Sequence, residues 1–318
     1  MLRVHLTAED LLRTRFAGQP APLLEVSLAL ATLQRPDPVF SRWRRWAGAQ
    51  LPARARPLLD LIPVSGTGPV FLDPVSTSLE EGLELVQRAP AVLVSEELER
   101  VFADRRRPSW VPLLAAHDRR TWLDLDRALR LAYCHLLQGD WTRVRGSFRS
   151  ELAWRSRLIA ELGVQAAVST LHPRISWHGT ILQIETPTEL DLRPGGAGLT
   201  LVPSVMWTGR PMVTNHPDGS AVIVYPALTP LPLTDETTAD PLAGLLGRTR
   251  AAVLRLAFRE RTTTELAREL GISAATVSGH TKTLRAAGLI VTTRAGKAVQ
   301  HSVTPLGGRL LESAAGPA

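Results

Sequence analysis

Few residues of this chain have the types and spacing that support bond-making chemistry, and each candidate lacks a companion. Cys134 and His135 are neighbours, and a thiol beside an imidazole is the pairing that activates a nucleophile. Adjacent positions on a helix point about 100° apart, so the two do not converge, and Cys134 is expected as a buried structural residue. His172 and His178 have no acidic or thiol companions at ligand spacing, so no metal site is expected. Gly195-Gly-Ala-Gly198 and Ser65-Gly-Thr-Gly68 lack the Lys-Ser/Thr of a phosphate loop and the spacing of a dinucleotide fingerprint. Ser204 lies in Val-Pro-Ser-Val, which is not a nucleophile elbow. Neither a catalytic constellation nor a cofactor is expected.

What remains is non-covalent chemistry, and it is concentrated. From Asp240 onward the chain holds 11 Lys and Arg against 5 Asp and Glu, which is +6 of the total net charge of +7. The residues before it nearly balance, at 26 against 25. A small basic domain attached to a neutral one is the footprint of a module that binds a polyanion. Within it Thr264, Ser273, Thr276 and Ser278 supply hydroxyls, while Lys282, Arg285, Arg294 and Lys297 supply cations that include both lysines of the chain.

The elements that would position these groups can be read in order. Asp240 is a good N-cap and Pro241 suits a first helical position, predicting a helix to about Phe258. Thr262-Thr-Thr-Glu265 has capping-box spacing ahead of a short helix that ends at Gly271. Ser273 then caps a second helix, from Ala274 to about Ala287. Helix, three-residue turn and helix form the unit whose second member enters a major groove. Leu289–Arg294 and Lys297–Val303 read as two strands around an Ala295-Gly296 turn, a wing, followed by a last helix from Leu306 to about Ser313.

The run Glu265-Leu-Ala-Arg-Glu-Leu-Gly-Ile-Ser-Ala-Ala-Thr-Val-Ser-Gly-His-Thr-Lys-Thr-Leu-Arg-Ala-Ala-Gly-Leu-Ile resembles the DNA-reading half of ArsR-type winged-helix regulators. The likeness covers about residues 241–313. It implies double-stranded DNA as partner and a homodimer built on the first and last helices of the domain. The preceding region resembles the extension carried by some long regulators of this type. Metal-sensing members have cysteines in the helix before the reading helix, where this chain has Ala267 and Glu269, so the thiolate-sensing variant is not expected. Ala274 stands where the family often has a polar residue, Gly279-His280 where it often has a His pair, and Thr281 where a leucine is usual.

On the reading helix Val277, Thr281 and Leu284 are expected to face inward, with Ala275, Ser278, Gly279 and Lys282 on the opposite face. Thr276 and Ser278 are candidates for base edges, and Ala274, Ala275 and Gly279 for close approach to the groove floor. Ser273 and Thr264, at helix starts, and Lys282, Arg285, Arg294 and Lys297 are candidates for phosphates. With no Asn or Gln on this helix and no Arg on its first turns, sequence choice is expected to lean on DNA shape.

At 318 residues two domains are expected, in an α+β fold: an N-terminal domain over 1–235 and the winged helix over 240–318. The first domain reads as mainly helical to about 165, with long helices over Thr121–Gln138 and Trp141–Leu162. It then turns β-rich from about 170 to 234, with strands at Arg174–Glu185, Gly198–Val202 and Ala221–Tyr225. Turns are expected at His178-Gly179 and Pro217-Asp-Gly219, and a linker from Leu228 to Asp240. Phe40, Trp43 and Trp46-Ala47 share a helical face and are expected in the core, with the intervening arginines solvated. The chain has no leader-like run, no membrane span and one cysteine, which together point to the cytoplasm. The function expected is a sequence-specific DNA-binding repressor whose first domain either senses a small molecule or shapes the dimer. The rivals are a small-molecule-binding or enzymatic protein that uses its winged helix for protein contacts, and a winged helix that only dimerises.

Overall fold

The computed structural model describes residues 1–186, 189–215, 221–228, 241–295 and 298–315. The expected Pro217-Asp-Gly219 turn, the linker from 229 to its Asp240 cap, and Gly296 and Lys297 of the wing tip lie outside these residues. The chain divides into two compact units, Met1–Thr234 and Asp235–Ala318, in an α+β architecture. Among the described residues no helix is long and apolar enough to cross a membrane.

The N-terminal unit begins with β1 (Leu2–His5), α1 (Ala8–Leu12) and β2 (Arg15–Phe16). Helices follow as α2 (Pro22–Gln34), α3 (Ser41–Gln50), α4 (Leu58–Leu61), α5 (Leu79–Gln87), α6 (Ala91–Val101), α7 (Val111–Ala115), α8 (Arg119–Leu136) and α9 (Trp141–Ser169). α2 is the axis of this layer. It is apolar nearly all round, the signature of a helix enclosed by protein, and it is packed by α3, α4, α5 and α8. α8 shows the contrasting pattern: Leu125, Ala128, Leu129, Ala132 and Leu136 form one buried stripe. Cys134 falls outside that stripe and is exposed, which corrects its expected burial. Phe40, Trp43 and Ala47 are buried as expected, but Trp46 is 44% exposed because α3 turns only its 43/47 edge to the core. α9 departs from helical geometry at Gly163 (φ +84°), one residue beyond the expected end of the Trp141 helix.

The strands after α9 are β3 (Ile175–His178), β4 (Ile181–Ile184), β5 (Leu190–Leu192), β6 (Leu199–Ser204), β7 (Met212–Asn215) and β8 (Ala221–Pro226). They form two four-stranded sheets of order β3-β4-β1-β5 and β2-β6-β8-β7. β1 and β2, from the start of the chain, are strands that the sequence reading left in the helical part. β1 is sandwiched between β4, antiparallel with Leu2 opposite Ile184, and β5, parallel with Leu2 opposite Leu190. β5 and β7 were also not anticipated; each is at most four residues long and sits at a sheet edge, where burial writes little pattern.

Two carboxylates fasten these layers together. Asp10, fully buried, closes a capping box with Thr7 and accepts hydrogen bonds from the backbone of Gly196 and Gly198 at 2.8 and 3.0 Å. The glycine run that looked like a fragment of a phosphate loop therefore cradles an anion, but the anion is the protein's own side chain. Glu25 of α2 accepts from Ser204 Oγ at 2.9 Å and from the backbone of Val205 and Met206, both at 3.1 Å, at the end of β6.

Burial pushes the Glu25 carboxyl up to about 7 against the hydrogen bonds that favour its ionised form. A carboxyl raised on folding stabilises fully below its unfolded value near 4.5, and that contribution is lost as pH rises through about 7. Asp73, hydrogen-bonded by Ser27 Oγ, is pushed by burial in the same direction, also to about 7. Denaturant titrations are expected to show the N-terminal unit losing stability on the order of 2 kcal/mol between pH 5 and 8. Glu25→Gln should remove part of that slope and the Glu25→Gln/Asp73→Asn double variant nearly all of it.

Candidate nucleic-acid interface

The C-terminal unit contains α10 (Pro241–Leu246), α11 (Arg248–Leu256), β9 (Arg261–Thr262), α12 (Thr263–Leu270), α13 (Ala274–Ala286), β10 (Ile290–Ala295), β11 (Ala298–Val303) and α14 (Pro305–Ala315). The single helix expected from 241 to 258 is two, because Gly247 takes φ +81°, ψ +148°, a non-helical conformation that ends one helix before the next begins. The capping box on Thr262 is formed in both directions: Thr262 Oγ1 accepts from Glu265 N and the Glu265 carboxylate accepts from Thr262 N. Gly271 is left-handed (φ +66°, ψ +30°), as the turn between the two helices requires. Ser273 Oγ accepts from Thr276 N at 3.1 Å and caps α13.

Burial divides α13 as the sequence pattern expects. Val277, Thr281 and Leu284 are buried, and with Leu254, Leu266 and Ile290 they belong to the core of this unit. Thr281, in the place of a usual leucine, donates its hydroxyl to the Ser278 carbonyl at 3.2 Å, so the buried polar group is satisfied within its own helix. Ala274, Ala275, Thr276, Ser278, Gly279, Lys282 and Arg285 are all exposed, as are Ser273, Thr264 on α12 and Arg294 on β10. Nothing lies within 4 Å of where a Cβ would stand on Gly279, so this part of the helix presents bare backbone to solvent. Thr276 Oγ1 lies 2.8 Å from Ser273 Oγ, which leaves the Ser278 hydroxyl as the more available of the two at this face. Lys297 lies outside the described residues.

The wing is a three-stranded antiparallel sheet of order β10-β11-β9, in which Ile290 pairs with Val303 and Ala295 with Ala298. Sequence reading missed β9, two residues that pair with Gln300 and His301. It also missed His301, which is buried and joins three elements: its Nε2 is 3.0 Å from Thr263 Oγ1 on α12 and its Nδ1 is 3.0 Å from Thr292 Oγ1 on β10. The signal that could have found it is a histidine at an inward register position of a strand, with threonines able to face both ring nitrogens.

Burial, with Arg285 nearby, holds the His301 imidazole below its ordinary value, which favours its neutral form in the fold. A base depressed on folding stabilises above its unfolded value near 6.5, and that stability is lost as pH falls through the lower folded value. The C-terminal unit is therefore expected to melt earlier as pH drops below 6.5, in the opposite sense to the N-terminal unit. His301→Gln should flatten the acid limb while costing about 1 kcal/mol at neutral pH; an unchanged acid limb would assign it to other groups.

Residues 249–292, from α11 into β10, match the family model of the bacterial regulatory protein, arsR family. No curated protein and no solved structure matches the chain. The C-terminal unit thus carries an ArsR-type helix-turn-helix, and the chain is a DNA-binding transcriptional regulator.

Proposed function

We propose that the chain acts as a homodimeric repressor that lays α13 in the major groove of double-stranded DNA, with its N-terminal unit serving as the sensing or dimer-shaping part. The observation that carries this reading is the outer face of α13. It combines small residues (Ala274, Ala275, Gly279), hydroxyls (Thr276, Ser278) and cations (Lys282, Arg285), all exposed on a helix whose inner face is locked by Val277, Thr281 and Leu284. A helix so shaped can approach base edges closely while its C-terminal cations reach phosphates. Ser273 and Thr264 supply further phosphate donors at helix starts, and the exposed Arg294 on β10 extends the basic surface along the wing. The dimer is supported by α10 and α14, which pack on each other yet leave Leu245 69% and Leu306 49% exposed.

The test is a salt titration of full-length chain on duplex DNA from around its own promoter and on random duplex. Affinity should fall steeply with salt, and Lys282→Ala/Arg285→Ala should lower the slope of log K against log salt by about 2. Ser278→Ala with Thr276→Ala should cost about 1–3 kcal/mol on the preferred duplex if base edges are read, and nearly nothing if DNA shape is. Binding that neither depends on salt nor responds to the Lys282/Arg285 variant would sink the assignment of this face.

A further inference from the structure

The N-terminal unit has an open cleft of about 740 Å³ on the outer side of α8, and four of the residues that line it are arginines: Arg54, Arg119, Arg120 and Arg127. Arg54 is carried on the short 3-10 turn Ala53–Ala55, which packs against α8 and so brings this arginine into the same cleft as the other three. Two carboxylates share the cleft. Asp124 is spent on Arg127 at 3.2 Å, and Asp118 caps α8 by accepting from Thr121 N and Oγ1, both at 2.8 Å. Among the described residues Arg54 and Arg119 form no ion pair. The lining therefore carries an excess of two positive charges in a single concavity, within a unit whose overall charge is nearly neutral. Like charges gathered in this way repel one another, and an anion with several oxygens removes the repulsion while taking paired N–H donors.

A second open pocket of about 240 Å³ shares Arg119 and Leu123 with the first, and His117 and Trp122 are among its lining residues. His117 lies flat on Trp122, with ring centres 4.9 Å apart and planes 5° from parallel, and its own outer side is exposed. His117 is the one non-glycine residue with positive φ among the described residues, at +53°. It occupies the left-handed position after α7, where Asp118 N donates to Leu113 O at 2.9 Å and the turn would ordinarily take glycine. A side chain here strains the backbone, and what it adds is a flat ring beside the arginines.

We propose that this cleft binds a nucleoside phosphate, with the phosphates among Arg54, Arg119 and Arg120 and the base against His117, and that this is the ligand sensed by the N-terminal unit. The second half rests on the sensing role proposed above. Rings stack on exposed aromatic faces with little regard to base identity, so the site selects the class of ligand more than one base. Tripolyphosphate shares the charge but not the ring, and adenosine the ring but not the charge, which makes them the discriminating probes.

The experiment is calorimetric titration of full-length protein with ATP, tripolyphosphate and adenosine, with DNA affinity measured on the same preparation. ATP should bind saturably, and Arg54→Ala/Arg119→Ala should weaken it about 10- to 100-fold. His117→Gly relieves the backbone and keeps the fold; it should weaken ATP several-fold and leave tripolyphosphate unchanged. No saturable ATP binding, or binding indifferent to the arginine variant, overturns the site. Tripolyphosphate binding as tightly as ATP, with His117→Gly silent, overturns the nucleoside part. DNA binding without ATP binding removes this inference and leaves the regulator intact. ATP binding that leaves DNA affinity unchanged supports the site and overturns sensing.

Discussion

Arg155→Met is expected to cost the N-terminal unit about 3–5 kcal/mol, the usual penalty for stranding a buried charge. Arg155 and its partner Glu151 are 1% and 2% exposed, with Nε donating to Oε1 at 2.7 Å one turn apart on α9. The guanidinium also donates to Thr170 Oγ1 at 2.9 Å, beyond the break at Gly163, and lies 5.5 Å over the Tyr225 ring on β8. Glu151 uses its second oxygen to accept from Leu228 N at 3.0 Å. One ion pair therefore joins the long helix, its continuation past the break, and the last strand of the second sheet. Methionine would fill the space but leave the Glu151 carboxylate desolvated and half-partnered. The Glu151→Leu/Arg155→Met double variant should recover most of the loss, because two apolar groups need no partners. Urea unfolding of the two variants checks this, and a double variant no better than the single one would show that packing, not charge, carries the effect.

Gly307→Ala is expected to destabilise the C-terminal unit by about 3 kcal/mol, the upper part of the range for overpacking. A Cβ on Gly307 would stand 2.2 Å from the Leu289 carbonyl oxygen and 2.6 Å from Val303 Cγ1. That carbonyl cannot yield easily, since it accepts from Thr304 N at 3.0 Å at the start of α14. The helix must move away instead, taking Leu310 and Leu311 off the core. Gly308 is the control: nothing lies within 4 Å of its Cβ position, so Gly308→Ala should stabilise by about 0.5–1 kcal/mol through helix propensity alone. On the dimer proposed above, Gly307→Ala should also weaken self-association and DNA binding together, while Gly308→Ala leaves both near wild type. Sedimentation and thermal melts of the pair measure this, and equal stabilities would mean that α14 is not tightly seated.

The C-terminal unit was largely legible in the sequence because its signals are local. Thr262 and Ser273 cap helices within three residues of themselves, Gly271 ends one by its own backbone freedom, and Val277, Thr281 and Leu284 follow the helical period. The break at Gly247 escaped because an apolar pattern of helical spacing runs across it, and only the tertiary packing chooses a turn there over a continuous helix.

The N-terminal unit was legible in its helices and not in its assembly. Composition and charge alone determined that the net positive charge falls almost wholly in the last quarter. Tertiary structure alone decided that β1 and β2, at the start of the chain, pair with strands about 180 residues later. It also decided that Asp10 fills the Gly195–Gly198 loop and that Arg54 and Arg119 line one cleft. The physical reason is range. Caps, turns and helical faces are set by neighbours a few residues away, whereas sheet partners and buried charge pairs are chosen by the free energy of the whole core, which leaves no periodic trace in either segment.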